Sequence, residues 1–112
     1  GDAIFVAEVE GECVGMCGVG EDRTRRGDAF VWGVFVKKPY RKSGAGSRLM
    51  DAAEAWAEGR RFKSVNGFVA APNGQAVRFY RERGYDVGEA VETLRPGSDI
   101  PVHPISKQFA RS

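Results

Sequence analysis

Cysteine and histidine are nearly absent from this chain. Its 112 residues include two cysteines, Cys13 and Cys17, and one histidine, His103. One cysteine pair cannot build a disulfide framework, and a lone C-x3-C with one distant histidine makes a poor zinc site, so no metal is expected. On a strand the two cysteines share a face, and both read as small core residues. Long apolar runs are missing too. No stretch approaches the roughly 20 residues of a membrane span, and no signal peptide is expected at the first residues. The expected setting is a reducing cytoplasm, with no membrane partner. A strong charge of one sign is the third absence. The net charge of +2 is too small to imply nucleic acid.

What is present is an ordinary globular composition, 42% hydrophobic and 29% charged, enough for a core and a solvated surface. The length fits a single domain over residues 1–112. A chain this short buries a smaller fraction of its surface than a larger one, so its stability margin is thin and a ligand or a partner subunit is expected to matter to it.

Ala3 to Val9 is rich in β-formers, Glu10-Gly11 supplies a tight turn, and Cys13 to Val19 resumes an apolar run, the pattern of a β-hairpin. Glu21 to Asp28 reads as a mobile polar loop. Ala29 to Val36, AFVWGVFV, is apolar at nearly every position and reads as a central strand buried on both faces. From Gly44 to Arg60 the period becomes helical. Ala45, Leu49, Ala52, Ala53 and Trp56 recur on one face, with Arg48, Asp51, Glu54 and Glu58 on the others. Ser64 to Ala70 is a strand. Pro72-Asn73-Gly74 is a turn in which Asn73 is a candidate N-cap. Ala76, Val77, Phe79 and Tyr80 form a second helical stripe that Gly84 stops. Tyr85 to Leu94 returns to strand character, Arg95 to Pro104 is a proline-bearing loop, and Ile105 to Phe109 is a short last strand. The order β-β-β-α-β-α-β-(β) predicts an α+β (mixed α/β) fold with one central mixed sheet flanked by helices.

Between Lys37 and Met50 there are five basic residues (Lys37, Lys38, Arg41, Lys42, Arg48) and no acidic one. This block follows the apolar strand and enters the first helix through Arg41-Lys42-Ser43-Gly44-Ala45-Gly46. A helix N-terminus leaves backbone N–H groups unpaired at the positive end of its dipole, and glycines let the chain close on an anion. The segment is therefore a candidate phosphate site. It lacks the Lys-Ser/Thr of a Walker loop, and it lacks the third glycine and the distal acid of a dinucleotide fingerprint.

These residues resemble the GNAT superfamily of N-acetyltransferases. The family's Arg/Gln-x-x-Gly-x-Gly/Ala signature is matched by Arg41 to Gly46. Asn73 to Tyr85 is similar to its Asn-x-x-Ala-x-x-Phe/Leu-Tyr-x-x-x-Gly-Phe/Tyr segment. The EVEGECVG hairpin looks like the family's second and third strands. The resemblance implies acetyl-CoA as cosubstrate, with its pyrophosphate on the backbone of Arg41, Lys42, Ser43, Gly44, Ala45 and Gly46 and a hydroxyl from Ser47. It implies pantetheine contacts from the backbone of Phe35 and Val36 and from Asn73, and Tyr80 as the general acid that protonates the departing thiolate. The acceptor would be a primary amine of a small molecule or a protein.

Three departures from the family pattern stand out. Lys38 occupies a place where proline is frequent. The central strand carries no Asp or Glu, so a base there is excluded, and Asp28, Glu89, His103 or a chain of waters are the alternatives. The family's first strand and first helices have no counterpart here. A fragment, or a compact variant completed by a partner subunit in a homodimer, both fit that absence. A catalytically inactive CoA-binding or structural module is the second functional reading, and an unrelated nucleotide-phosphate binder the third.

Overall fold

The turn at Glu10-Gly11 sets the register of everything before residue 21. In the computed structural model, which describes residues 1–93 and 97–109, both turn residues have positive φ, 51° and 81°. This is the two-residue turn whose twist matches that of paired strands. It joins β1 (Ala3–Val9) to β2 (Glu12–Glu21) with Val9 opposite Glu12. Asp22 to Asp28 then closes on itself. The Asp22 carboxylate accepts from the Thr24 amide and hydroxyl at 2.9 and 2.8 Å, and the Asp22 amide donates to Asp28 O at 2.9 Å. The segment expected to be a mobile loop is a hydrogen-bonded turn with a buried aspartate. β3 (Ala29–Val36) follows, antiparallel to β2.

The chain divides into two compact units, Gly1–Val65 and the residues from Asn66 onward. In the first, three antiparallel strands lie in the order β1-β2-β3, and α1 (Ala45–Gly59) packs on them. Ala45, Leu49, Ala53 and Ala57 form the buried stripe, joined by Met50 and Glu54. The thiol of Cys17 donates to Leu49 O at 3.6 Å. A Cβ on Gly15 would meet Phe35 O at 2.8 Å and Leu49 Cδ1 at 3.2 Å, so the helix's close approach requires glycine there. Glu54 departs from expectation: it lies on the buried side, whereas Ala52 and Trp56 are only half-buried. The helix ends in a Schellman arrangement, with Arg61 at φ 65° where glycine is usual. Its amide donates to Glu58 O, and that of Phe62 to Ala57 O.

Two bulges overturn two sequence expectations. Between Ala7/Gly15 and Glu8/Cys13 the register of β2 takes one extra residue, Val14. The bulge inverts the alternation, so Cys13 is exposed while Cys17 is fully buried. In β3, Gly33 and Val34 together oppose Cys17, and Gly33 has φ 63°. Ala29 and Val31 face the core before this bulge. After it, Val34 and Val36 are half-buried and Phe35 points out, 51% exposed. The strand is therefore not buried on both faces. Ile4, Val6, Met16, Trp32 and Phe35 form an exposed apolar set on the sheet, and Trp32 lies over Gly18.

The second unit carries most of β4 (Ser64–Ala70), then α2 (Gly74–Glu82), β5 (Asp86–Val87) and β6 (Val102–Gln108), with strands in the order β4-β6-β5. The strand expected over Tyr85–Leu94 is only two residues long, followed by one bridge from Val91 to Val102. Leu94 lies outside the described residues, as do Arg95 and Pro96 of the expected loop. The last strand begins at Val102 rather than Ile105 and includes Pro104, whose carbonyl accepts from Gly88 N at 2.8 Å. A proline is tolerated there because it still supplies an acceptor, though it cannot donate. The α+β class and the element order hold. Among the described residues no helix is long and apolar enough to cross a membrane.

Candidate functional site

β3 ends at Val36 and the chain tightens at once. Lys37 is extended, and Lys38–Tyr40 forms a single 3-10 turn with Pro39 inside it. The Tyr40 amide donates to Lys37 O at 2.9 Å and the Arg41 amide to Lys38 O at 3.2 Å. Arg41 is extended, Lys42 takes φ 86°, and Gly44 takes φ 90° as the N-cap of α1. Left-handed residues on either side of Ser43 fold the backbone into a concavity, the arrangement that turns successive amides toward an anion. Ser43 holds the shape from within. Its amide and its hydroxyl both donate to Tyr40 O, and its hydroxyl oxygen accepts from Ala45 N at 3.4 Å.

The first amide committed to the helix ladder is that of Arg48, to Gly44 O at 3.0 Å. The amides of the first turn before it have no carbonyl of the helix to bond. No side chain of the N-cap residue supplies one, since Gly44 has none. A Cβ at Gly44 would meet nothing within 4 Å. Glycine is thus required there for its φ rather than for space, and the surface above it is open. The residues fit a phosphate: amides at the positive end of a 15-residue helix, an open approach and exposed cations.

Those cations are not equivalent. The Arg41 Nε donates to Val36 O at 3.0 Å, which anchors the guanidinium at the end of β3. Lys37 is engaged elsewhere, 2.9 Å from the Glu12 carboxylate. That hydrogen bond, and then the charge of Glu12, raise the lysine's pKa. The basic block has no acid in sequence, but pairing across the sheet supplies one. Lys38, Lys42 and Arg48 are exposed. Phe35, Val36 and Arg41 to Ser47 are therefore gathered in one stretch of the first unit. What sequence reading missed is the left-handed Lys42 and the Arg41 anchor. The run Arg-Lys-Ser-Gly gave no signal for either.

The other two site residues share α2. Asn73 is the N-cap, its side chain accepting from Ala76 N at 3.1 Å. Tyr80 lies seven residues on, about 10 Å along the axis. It is 6% exposed and touches Phe79 and Tyr85 edge-on, at 5.1 and 5.4 Å between ring centroids. Gly84, at φ 90°, completes a Schellman end. Its amide donates to Arg81 O and the amide of Tyr85 to Tyr80 O, both at 3.0 Å. Of the three alternative bases, Asp28 is half-buried beside its own turn and Glu89 is exposed. The ring of His103 has Nδ1 2.8 Å from Gly88 O.

A strand that ends in a left-handed loop and opens a helix is the arrangement of a candidate phosphate site, here in an α+β domain. The sequence matches the model of the acetyltransferase (GNAT) family over residues 1–85, and the chain belongs to that family. It is 30% identical over 95 residues to an uncharacterized N-acetyltransferase of Methanocaldococcus jannaschii, covering 81% of this chain and 42% of that one. It is 30% identical over 94 residues to streptothricin acetyltransferase A of Bacillus subtilis, covering 84% and 53%. The chain thus spans about half the length of the curated relatives it matches. Its fold is shared with a protein of Bacillus anthracis assigned as a streptothricin acetyltransferase and solved with acetyl coenzyme A. The TM-score is 0.83 at 21% identity, over 96% of this chain and 62% of the other.

Proposed function

We propose that this chain is the acyl-CoA-binding core of an N-acetyltransferase, a single domain over residues 1–112 that moves an acetyl group from acetyl-CoA to a primary amine. The observation that carries the reading is the loop from Arg41 to Gly46, with Lys42 and Gly44 left-handed at the mouth of α1. Its amides hold the pyrophosphate, with Ser47 adding a hydroxyl, and Arg41 and Lys42 add charge. The backbone of Phe35 and Val36 and the amide side chain of Asn73 bind the pantetheine arm. The acceptor is an amine of a small molecule or a protein. One relative's name, a streptothricin acetyltransferase, favours the small molecule.

The chemistry sets what the protein must supply. An alkylamine has a pKa near 10, so it must lose a proton before it attacks. The leaving thiolate, with a pKa about 8.5, is a fair leaving group, and a positioned acid adds roughly 10² to 10⁴ in rate. Tyr80 is that acid in this reading. Self-association as a homodimer belongs to the same proposal. A cytoplasmic setting also fits, because Cys13 is a free, exposed thiol suited to a reducing compartment.

The test has two arms. Acetyl-CoA raises the denaturation midpoint, and ATP or NAD at equal concentration does not. Free thiol then appears with acetyl-CoA and at least one member of an amine panel. Stabilisation by ATP or NAD in preference to acetyl-CoA would sink the assignment of the loop. Binding without thiol release from any amine would reduce the protein to a CoA-binding module.

A further inference from the structure

Six exposed cations gather at one end of the first unit. Arg23, Arg25 and Arg26 sit on the turn between β2 and β3, and Arg60, Arg61 and Lys63 on the stretch that joins α1 to β4. We infer that this end is a docking surface for single-stranded nucleic acid, separate from the phosphate loop and independent of the acetyltransferase reading above.

Backbone bonds hold the two stretches together. Asp22 N donates to Asp28 O at 2.9 Å and Asp28 N to Arg25 O at 3.1 Å, which closes the turn. Lys63 N donates to Gly27 O at 2.8 Å, and Lys63 Cε lies 3.2 Å from where a Cβ on Gly27 would stand. The lysine stem therefore rests on the turn, next to Arg26. The amides of Arg61 and Phe62 are fixed on the end of α1, donating to Glu58 O and Ala57 O at 3.0 Å. The acids of this end lie mostly beneath the cations. Asp22 is buried with its carboxylate bonded to Thr24, and Asp28 is half-buried, so the exposed acids are Glu21 and Glu58. The net charge of +2 conceals the cluster, because it sums over the whole chain. β3, eight residues long, runs from this end to the phosphate loop over about 26 Å. The 15 residues of α1 run back over about 22 Å. Both lengths exceed the Debye length of about 8 Å at physiological salt, so the two basic regions act separately.

The side chains select the partner. Five of the six cations are arginine, whose planar fork bonds a phosphate through two N–H groups at once. The sixth, Lys63, adds a point charge beside them. An aromatic stack adjoins the cluster. The Arg60 guanidinium lies 4.5 Å from the Trp56 ring centroid, and Trp56 stacks on Phe62 with centroids 5.8 Å apart and 26° between the planes. Both rings are half-buried and Arg60 is exposed. An unpaired base can stack on the outer side of that guanidinium, as bases do on arginine planes and aromatic rings in single-stranded complexes. An acidic peptide would gain the charge pairing and nothing from the stack. A duplex would bring phosphates but keep its bases closed to stacking. Because backbone bonds already fix the turn and the helix end, binding has to order little beyond the side chains themselves.

Fluorescence anisotropy with a labelled RNA of about 12 nucleotides, and with DNA of the same sequence, tests the surface. Affinity falls about 16-fold for each doubling of salt, from the slope of about −4 that six single-strand phosphate contacts give. Replacing Arg23, Arg25 and Arg26 together by glutamine brings the slope to about −2. Arg60→Lys keeps the charge and removes the plane, so it weakens RNA binding about fivefold or more and leaves binding of inorganic polyphosphate unchanged. Both variants keep the denaturation midpoint of the unaltered protein, and whatever increment acetyl-CoA gives it. A preference for RNA or for DNA supports the surface and identifies the strand. The inference fails if neither strand binds, or if a polyglutamate peptide of equal charge binds as tightly. It also fails if the triple variant keeps the slope, if Arg60→Lys loses polyphosphate as much as RNA, or if lost binding comes with a lower midpoint.

Discussion

Replacing Gly44 by alanine separates what the loop does for the fold from what it does for a ligand. Gly44 has φ 90° and caps α1, and a Cβ built on it meets no atom within 4 Å. The substitution therefore causes no clash with protein, and its cost is conformational, about 1 kcal/mol and at most about 2. For a domain of this size, 1 kcal/mol lowers the thermal midpoint by roughly 4 °C. The same methyl group stands in the open space over the first-turn amides. If a pyrophosphate docks there, affinity for acetyl-CoA falls as well. At 100 times the dissociation constant a ligand stabilises by about 2.7 kcal/mol, and a tenfold weaker one at that concentration by about 1.4. Urea denaturation of both proteins, without and with acetyl-CoA, gives both numbers. Equal stability of the free proteins would show that the left-handed conformation is not needed. An unchanged acetyl-CoA increment, with the loss in free stability present, would show that the ligand does not approach the amides at Gly44.

Three further outcomes follow from local environments. Burial raises the Cys17 thiol to about 11 from 9.0, whereas Cys13 is exposed, so a thiol reagent at pH 8 titrates one cysteine in the native protein and two in denaturant. The sign also bears on stability: the unfolded Cys17 ionises near 9 while the folded one stays protonated, so this residue's contribution falls as pH rises from about 9 toward 11, and Cys17→Ala loses that dependence in alkaline denaturation curves. Asn73→Asp keeps the acceptor for Ala76 N and hence the cap, whereas Asn73→Ala loses about 1 kcal/mol; weaker acetyl-CoA binding in the aspartate variant at unchanged stability marks the amide as a ligand group, and equal binding in both variants removes Asn73 from the site.

The sequence carried the elements well where local chemistry decides them. Glu10-Gly11 is a turn because two left-handed residues suit a hairpin, and Asn73 and Gly84 bracket α2 because each bonds the helix end it sits on. It failed where pairing decides. The alternation of β2 and β3 is inverted by Val14 and by Gly33-Val34, and a bulge is set by the partner strand's register, which no window of one strand contains. That is why strand alternation alone puts Cys13 inside and Phe35 in the core. The C-terminal strands failed for a related reason. Pro104 reads as a breaker in sequence, yet only its missing N–H is costly, and its carbonyl is used by Gly88. The phosphate loop was legible as a location, from glycines and basic residues, and illegible as a shape. Nothing in Lys42 announces a positive φ, and nothing in Arg41 announces a bond to Val36 O.

The second motif, from Asn73 to Tyr85, sharpens what a test of Tyr80 must exclude. Most of that motif is explained by the helix alone. Asn73 is its N-cap, Gly84 its left-handed stop, and Tyr85 packs edge-on against Tyr80 at 5.4 Å, the hydrophobic contact that accompanies a Schellman end. The ring of Tyr80 thus has a structural reason to be aromatic and buried, whatever its hydroxyl does. Removing the ring would destabilise by about 3 kcal/mol or more, as for other buried aromatics, and would say nothing about catalysis. Tyr80→Phe keeps the ring and both edge contacts and deletes only the oxygen. If that oxygen protonates the leaving thiolate, kcat falls by roughly 10² or more, while acetyl-CoA binding stays near that of the unaltered protein. The loss would also be smaller for an acyl donor whose thiol is more acidic, because a better leaving group needs less help. Equal turnover of the two proteins with acetyl-CoA, or an equal loss for good and poor leaving groups, would confine Tyr80 to holding the end of α2.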